Sequence, residues 1–175
     1  MEGLVEHLAK YAAYHRDPRN IATHFAGIPL IVLAVQILLA VPSVTLAGLA
    51  VSPMVLVSLG AAVWYLRLDR TLGLAMALQL FLGGWLAVWM SAAPEISALR
   101  SGALIFLLGW VFQFVGHVYE GRKPAFVDDL IGLVVGPLFV MAELIFLLGG
   151  RTGLCTAIEA QVGPVRRRTQ GSLPA

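Results

Sequence analysis

Long apolar runs alternate with short polar connections along this chain. Four runs, at about 24–41, about 53–68, about 72–91 and about 98–118, come close to the roughly 20 residues that a membrane-crossing helix needs. A fifth, about 130–149, has the right length but carries Gly136-Pro137 inside it and Glu143 beyond them. A Gly-Pro pair interrupts the backbone hydrogen-bond ladder, and such breaks at membrane depth are tolerated where protein or water covers them. The fifth run is therefore expected to form a broken or re-entrant helix pair. Connections such as LRLDRT at 66–71 and SAAPEIS at 91–97 leave no room for another domain.

The predicted fold is an all-α integral membrane protein. It is a compact bundle of four transmembrane helices plus the broken or re-entrant fifth segment, forming one domain over residues 1–150. Residues 1–22 are expected to lie at the membrane surface on the cytoplasmic side, and 151–175 to form a polar, partly disordered cytoplasmic tail. The first 20 residues contain Glu2, Glu6, Lys10, Arg16, Asp17 and Arg19 without a continuous apolar core, a pattern that does not fit a cleavable signal peptide.

Composition agrees with that pattern. Of 175 residues, 59% are hydrophobic and 13% charged, with a mean hydropathy of +0.85. A soluble domain carries about 25% charged residues, so lipid must cover much of this surface. The formal net charge is +2 and the basic residues are scattered apart from Arg166–Arg168, which gives no nucleic-acid surface. Cys155 is the single cysteine, so no intrachain disulfide forms. Ten of the twelve basic residues are arginine, a composition that points to a GC-rich bacterial genome and hence an inner membrane. In a eukaryotic cell the endoplasmic reticulum is the corresponding expectation.

Charge also orients the bundle, because cytoplasmic loops collect Lys and Arg. With the amino terminus inside, Lys10, Arg16, Arg19, Arg67, Arg70, Arg122 and Lys123 face the cytoplasm and Arg100 alone faces out. If the fifth segment dips in and returns, Arg151 and Arg166–Arg168 stay inside as well.

This topology brings polar residues to one face. His15 and His24 precede or begin the first run, and His117 and Glu120 close the fourth, so all four meet the cytoplasmic side. Gln113, His117 and Glu120 fall at i, i+4 and i+7, one stripe of a helix; Asn20 and His24 are likewise four apart. His15 and His24 are nine apart, and Pro18 between them turns the chain so that both can aim inward. Ionisable groups at the edge of hydrocarbon are costly unless paired and read as functional candidates. Imidazoles with a carboxylate suit iron, zinc, copper or nickel; snorkelling or capping histidines are the plainer reading. Asn20, Gln113 and Glu143 are candidates for outer-shell partners, and for Glu143 a pairing with an arginine competes with a pairing to a histidine ring. His7 reads as a surface residue.

The blocks YHRDPRNIATHFAGIPL, GWVFQFVGHVYEGRKPAFVDDL and GPLFVMAELIFLLG, in that order and spacing, resemble the Mpo1-like family from about Tyr14 to Gly149. The resemblance implies a membrane-embedded dioxygenase that depends on Fe2+ and shortens a 2-hydroxy fatty acid by one carbon with O2, the reaction of fatty acid α-oxidation. It also implies that His15, His24 and His117 are the catalytic, metal-binding histidines, with Glu120 as a further candidate ligand. Arg19, Arg122 or Lys123 would then neutralise the substrate carboxylate while the acyl chain lies among the spans in the lipid bilayer. The yeast-like pattern has a second histidine where this chain has Arg16, and one more residue between the last histidine and the glutamate. Two alternatives stand beside this reading: a non-enzymatic membrane protein that binds metal or acts as a scaffold, and a zinc-dependent membrane hydrolase. The chain lacks the HExxH pattern of the commonest such hydrolases.

Overall fold

In the computed structural model, residues 2–41, 44–46, 49–93 and 97–166 are described. Seven α-helices, one 3-10 turn and a small hairpin make up these residues. Helix α1 (Glu2–Ala12) is amphipathic: Leu4, Leu8 and Ala12 recur at four-residue spacing and are buried, while Glu6 and Lys10 face out and pair at 2.8 Å. It ends before a short turn, and α2 (Pro18–Ala40) starts on two local signals. Asp17 caps it by accepting the Arg19 N–H, and Pro18 occupies the first turn, where its missing N–H costs nothing.

Strands β1 (Val44–Leu46) and β2 (Leu49–Val51) pair antiparallel and lead into α3 (Pro53–Leu68). Asp69 ends α3 and caps α4 (Arg70–Ala92), accepting from the Leu72 N–H at 2.9 Å. Helix α5 (Ala98–Glu120) stops at Gly121, whose φ of 69° lies in the left-handed region, with its N–H returned to the His117 carbonyl. After a 3-10 turn (Ala125–Val127) come α6 (Gly132–Leu147) and α7 (Thr152–Val162), bent 118° from each other.

Three helices, α2, α4 and α5, have 23 residues each and are apolar enough to cross a membrane; at 1.5 Å per residue that is about 34 Å, against a hydrocarbon core of about 30 Å. The second predicted span is the shorter α3, 16 residues and apolar. Exposed Leu56, Leu59, Leu78, Phe81, Trp85, Leu104, Leu107, Val111 and Phe114 form the outer apolar face that such a bundle turns to lipid. The bundle is all-α apart from the hairpin.

The fifth segment leads into a helix pair bent by 118°, α6 and α7, but the break falls elsewhere than Gly136-Pro137. Pro137 lies in the second turn of an unbroken α6, where its missing N–H removes one hydrogen bond and the helix carries on. Beside that gap Tyr65 Oη donates to the Val134 carbonyl at 2.8 Å. The turn comes at Gly149, φ 79°, and Arg151, φ 55°, with the Gly149 and Gly150 N–H groups bonded back to Phe146 and Ile145. Arg151 then ion-pairs with Asp69 of the α3–α4 turn, while the start of α6 is held by Tyr65 one turn earlier in α3. The start of α6 and the turn after it are thus both tied to the last turn of α3 and the cap that follows it. Residues 152–162, expected in a disordered tail, instead form α7, whose Leu154 and Ile158 are buried against α1. Residues 167–175 lie outside the described residues.

The central contact is between α2 and α5. Gly102, Gly109 and Gly116 recur every seven residues along α5; Gly102 meets Leu38 of α2, Gly109 meets Gly27 and Gly116 meets Asn20 and Thr23. A Cβ on Gly109 would stand 2.9 Å from the Gly27 carbonyl oxygen, and one on Gly116 2.4 Å from Asn20 Oδ1. These backbones approach as closely as they do because nothing projects between them, and that approach brings His24 and His117 together.

Candidate metal centre

His15, His24 and His117 are buried, and each offers a ring nitrogen within 4.8 Å of the other two. The ring centroids are 4.5, 5.0 and 5.1 Å apart, every pair edge-to-face. His15 reaches the cluster because α1 stops. The last carbonyls of a helix have no intrahelical partner, and Tyr11 O, one of these, accepts from His15 Nδ1 at 2.7 Å. On α2, His24 Nδ1 donates to the Asn20 carbonyl at 2.9 Å. With the proton of each ring held on Nδ1 by a carbonyl acceptor, both Nε2 atoms carry bare lone pairs.

Those two Nε2 atoms stand 3.0 Å apart. Two lone pairs at this distance repel unless a cation lies between them. Bonds of about 2.1 Å at a right angle separate two ligating nitrogens by about 3.0 Å, so the spacing fits a shared transition-metal ion. His117 Nδ1 is buried with no hydrogen-bond partner. Burial pushes the His15 imidazole well below its ordinary value of 6.5, and neighbouring His24 pushes in the same direction; both effects keep the ring in the neutral form that binds metal.

Glu120 serves the cluster without entering it. Its Oε2 accepts from the Arg16 N–H at 3.0 Å, the Asp17 N–H at 2.8 Å and Asn20 Nδ2 at 3.1 Å. The carboxylate thereby clamps the turn that carries His15 onto the end of α5 that carries His117. Its Oε1 faces Arg166 at 3.3 Å, whose N–H donates to the Arg16 carbonyl at 2.8 Å. The carboxylate lies outside the group of three ligand atoms.

The structure divides the remaining predicted residues. Asn20 orients His24 through its carbonyl and meets Glu120 through its amide. Glu143 lies 4.0 Å from Arg16 Nη2, an arginine pairing rather than a histidine one. Gln113 is buried, with its Nε2 unpartnered, and lines a cavity of about 60 Å³ beside His117. Arg19, Arg122 and Lys123 are not gathered at the cluster. Arg19 pairs with Asp17 at 2.8 Å and lies 4.7 Å over the Tyr119 ring; Arg122 donates to the Ala13 carbonyl; Lys123 pairs with Asp128 at 2.5 Å. His7 is half-buried against Trp64, ring centroids 5.8 Å apart, away from the triad.

Two contributors escaped the sequence reading. Tyr11 stacks flat on His15, centroids 4.2 Å apart and planes 4° from parallel, and it lines the cavity. Its place four residues before His15 was the available signal. Arg166 falls in the stretch expected to be disordered, and no local pattern announces it.

A profile of the family described as 2-hydroxy-palmitic acid dioxygenase Mpo1-like matches residues 1–148. The chain belongs to the Mpo1-like family. It is 30% identical over 163 residues, 90% of each chain, to a Saccharomyces cerevisiae relative named 2-hydroxy-palmitic acid dioxygenase MPO1. No solved structure matches. The Mpo1-like match runs from α1 through α6, so it contains all three histidines and Glu120.

Proposed function

We propose that this protein is a membrane-embedded dioxygenase that depends on Fe2+ and shortens 2-hydroxy fatty acids by one carbon with O2, the chemistry of fatty acid α-oxidation. The observation that carries the reading is the pair of bare Nε2 atoms, 3.0 Å apart, whose protons are locked on Nδ1. Its family and the name of its yeast relative support the substrate class.

His15, His24 and His117 would hold the metal. The donor set is all nitrogen, with no thiolate, and three protein ligands leave positions open for substrate and oxygen, a combination that suits catalytic ferrous iron. When bound, the iron supplies the one-electron chemistry that lets O2 react with a 2-hydroxy acid.

The chain's own residues do the rest. Tyr11 O and Asn20 O aim two imidazoles, Glu120 fixes the loop against α5, and the stacked Tyr11 ring closes one side of His15. Burial of the three rings keeps bulk water from the open positions. An amphiphile suits this location, with its polar head at the histidine end of the bundle and its chain among the helices. The excess of basic residues there supports a cytoplasmic placing of that end, and the arginine-rich composition supports a bacterial inner membrane.

The test is metal analysis of anaerobically purified protein together with oxygen uptake. About one iron per chain and oxygen consumption with 2-hydroxyhexadecanoate, yielding the acid one carbon shorter, are expected. Iron-loaded protein that consumes no oxygen with 2-hydroxy acids of several chain lengths overturns the reading.

A further inference from the structure

We propose that Gln113 is the residue that reads the 2-hydroxyl group of the substrate, and so separates 2-hydroxy fatty acids from the ordinary ones that surround them in the membrane. The inference rests on the dioxygenase reading above and adds a specificity residue to it.

Gln113 is 6% exposed and its Nε2 has no hydrogen-bond partner. A buried donor left unsatisfied is costly, by about 1–3 kcal/mol, so its presence in an apolar helix calls for a ligand. The amide lines the cavity of about 60 Å³ that also receives His117. Room is made for it from the facing helix, because a Cβ on Gly27 would lie 2.6 Å from Nε2.

The shape and lining of the cavity fit a head group rather than a chain. Its volume holds about four water-sized groups. Ile31 and Val32 of α2, Trp110 of α5 and Leu133 of α6 form apolar walls, and among the described residues no charged one lines it. A cavity without a cation does not select for a carboxylate. Gln113 lies four residues before His117, one turn deeper into the bundle along α5. An amphiphile whose carboxylate sits near the polar end places its next carbon, the one bearing the hydroxyl, deeper by one bond. The hydroxyl thus lies on the chain side of the head, the side on which Gln113 offers its unpartnered Nε2. A hydroxyl both donates and accepts, so it satisfies either end of a carboxamide.

The experiment measures anaerobic binding of radiolabelled 2-hydroxyhexadecanoate and hexadecanoate to the detergent-purified full chain, with and without Fe2+, in wild type, Gln113→Leu, Gln113→Asn and Gln113→Met. Wild type prefers the 2-hydroxy acid. In Gln113→Leu that preference falls about 10-fold or more, while hexadecanoate affinity, iron content and melting temperature hold. Gln113→Asn recovers part of the preference. Should the leucine variant fail to fold, Gln113→Met decides: it has the same length and no hydrogen-bonding group, and it must lose the preference while binding hexadecanoate as wild type does.

Folded Gln113→Leu or Gln113→Met with the full wild-type preference overturns the assignment. If wild type still consumes oxygen with the 2-hydroxy acid in that case, the dioxygenase reading survives and only the role of Gln113 falls. A wild type that neither consumes oxygen nor distinguishes the two acids removes both.

Discussion

His15 Nε2 and His24 Nε2 stand 3.0 Å apart although nine residues separate them, because α1 ends and α2 begins between them. Each ring is aimed by a carbonyl four residues earlier, Tyr11 O for one and Asn20 O for the other. Replacing His24 by alanine removes one of the two facing nitrogens. The expected outcome is loss of iron, with affinity lowered more than about 100-fold, the upper range for outer-shell changes. Titration with Co2+, followed by its visible absorption, reads this directly; full retention of the wild-type spectrum would sink the metal assignment.

Glu120 offers a sharper distinction between ligand and clamp. In Glu120→Ala the Arg16 and Asp17 N–H groups lose a buried acceptor, which costs about 2–4 kcal/mol, and metal affinity falls about 10- to 100-fold as the His15 turn loosens. Glu120→Gln keeps a carbonyl acceptor and is expected to bind metal nearly as wild type does. A glutamine variant as metal-free as His117→Ala would show that the carboxylate is itself a ligand.

Packing and chemistry are joined at Gly109. Its Cβ in Gly109→Ala would meet Ile31 Cγ1 at 2.6 Å and the Gly27 carbonyl at 2.9 Å, so α2 and α5 must move apart. Overpacking of this kind costs about 1–3 kcal/mol. It also widens the gap between His24 and His117, and the expected readout is a lower melting temperature together with reduced iron content. An unchanged iron content at a lowered melting temperature would show that the site tolerates the displacement.

The helices were legible because membrane hydrocarbon demands long apolar runs, and the cluster because topology forces chain segments to one face. What was not legible depends on contacts between segments that share no local pattern. Glu120 looked like a ligand by spacing along α5, yet the N–H groups that claim it come from a turn about a hundred residues away. The Gly-Pro pair marked a break that falls instead at Gly149–Arg151, since a proline early in a helix removes little while left-handed residues followed by an Asp69 partner redirect the chain. Arg16 donates to the carbonyls of Ala12, His15 and Gly163. It holds together the segments around the site, a role that charge patterning does not reveal.

The buried neutral His15 predicts an acid limit for the metal-free protein. Its folded pKa lies well below 6.5, so below pH 6.5 the unfolded state binds a proton that the folded state does not. Stability from this group is complete above about pH 6.5 and declines as pH falls below it. Melting temperatures of metal-free wild type should hold steady above pH 7 and fall toward pH 5, with a shallower slope in His15→Gln. Identical slopes in the two proteins would assign the acid sensitivity to other groups.

Arg151 pairs with Asp69 and Tyr65, one turn earlier in α3, holds the start of α6, so both flanks of α6 are expected on the same side of the membrane. Single cysteines in a Cys155→Ser background test this in sealed vesicles of known orientation. Cysteines at Gly121 and Thr152 flank α6 on either side, and both should react with a membrane-impermeant maleimide added from one side only. A cysteine at Val44, in the hairpin beyond the far end of α2, should react from the opposite side. Were Thr152→Cys labelled from the same side as Val44→Cys, α6 would cross the membrane. Arg166 could not then reach Glu120 beside the histidines, and the clamp on the His15 turn would lose its outer anchor.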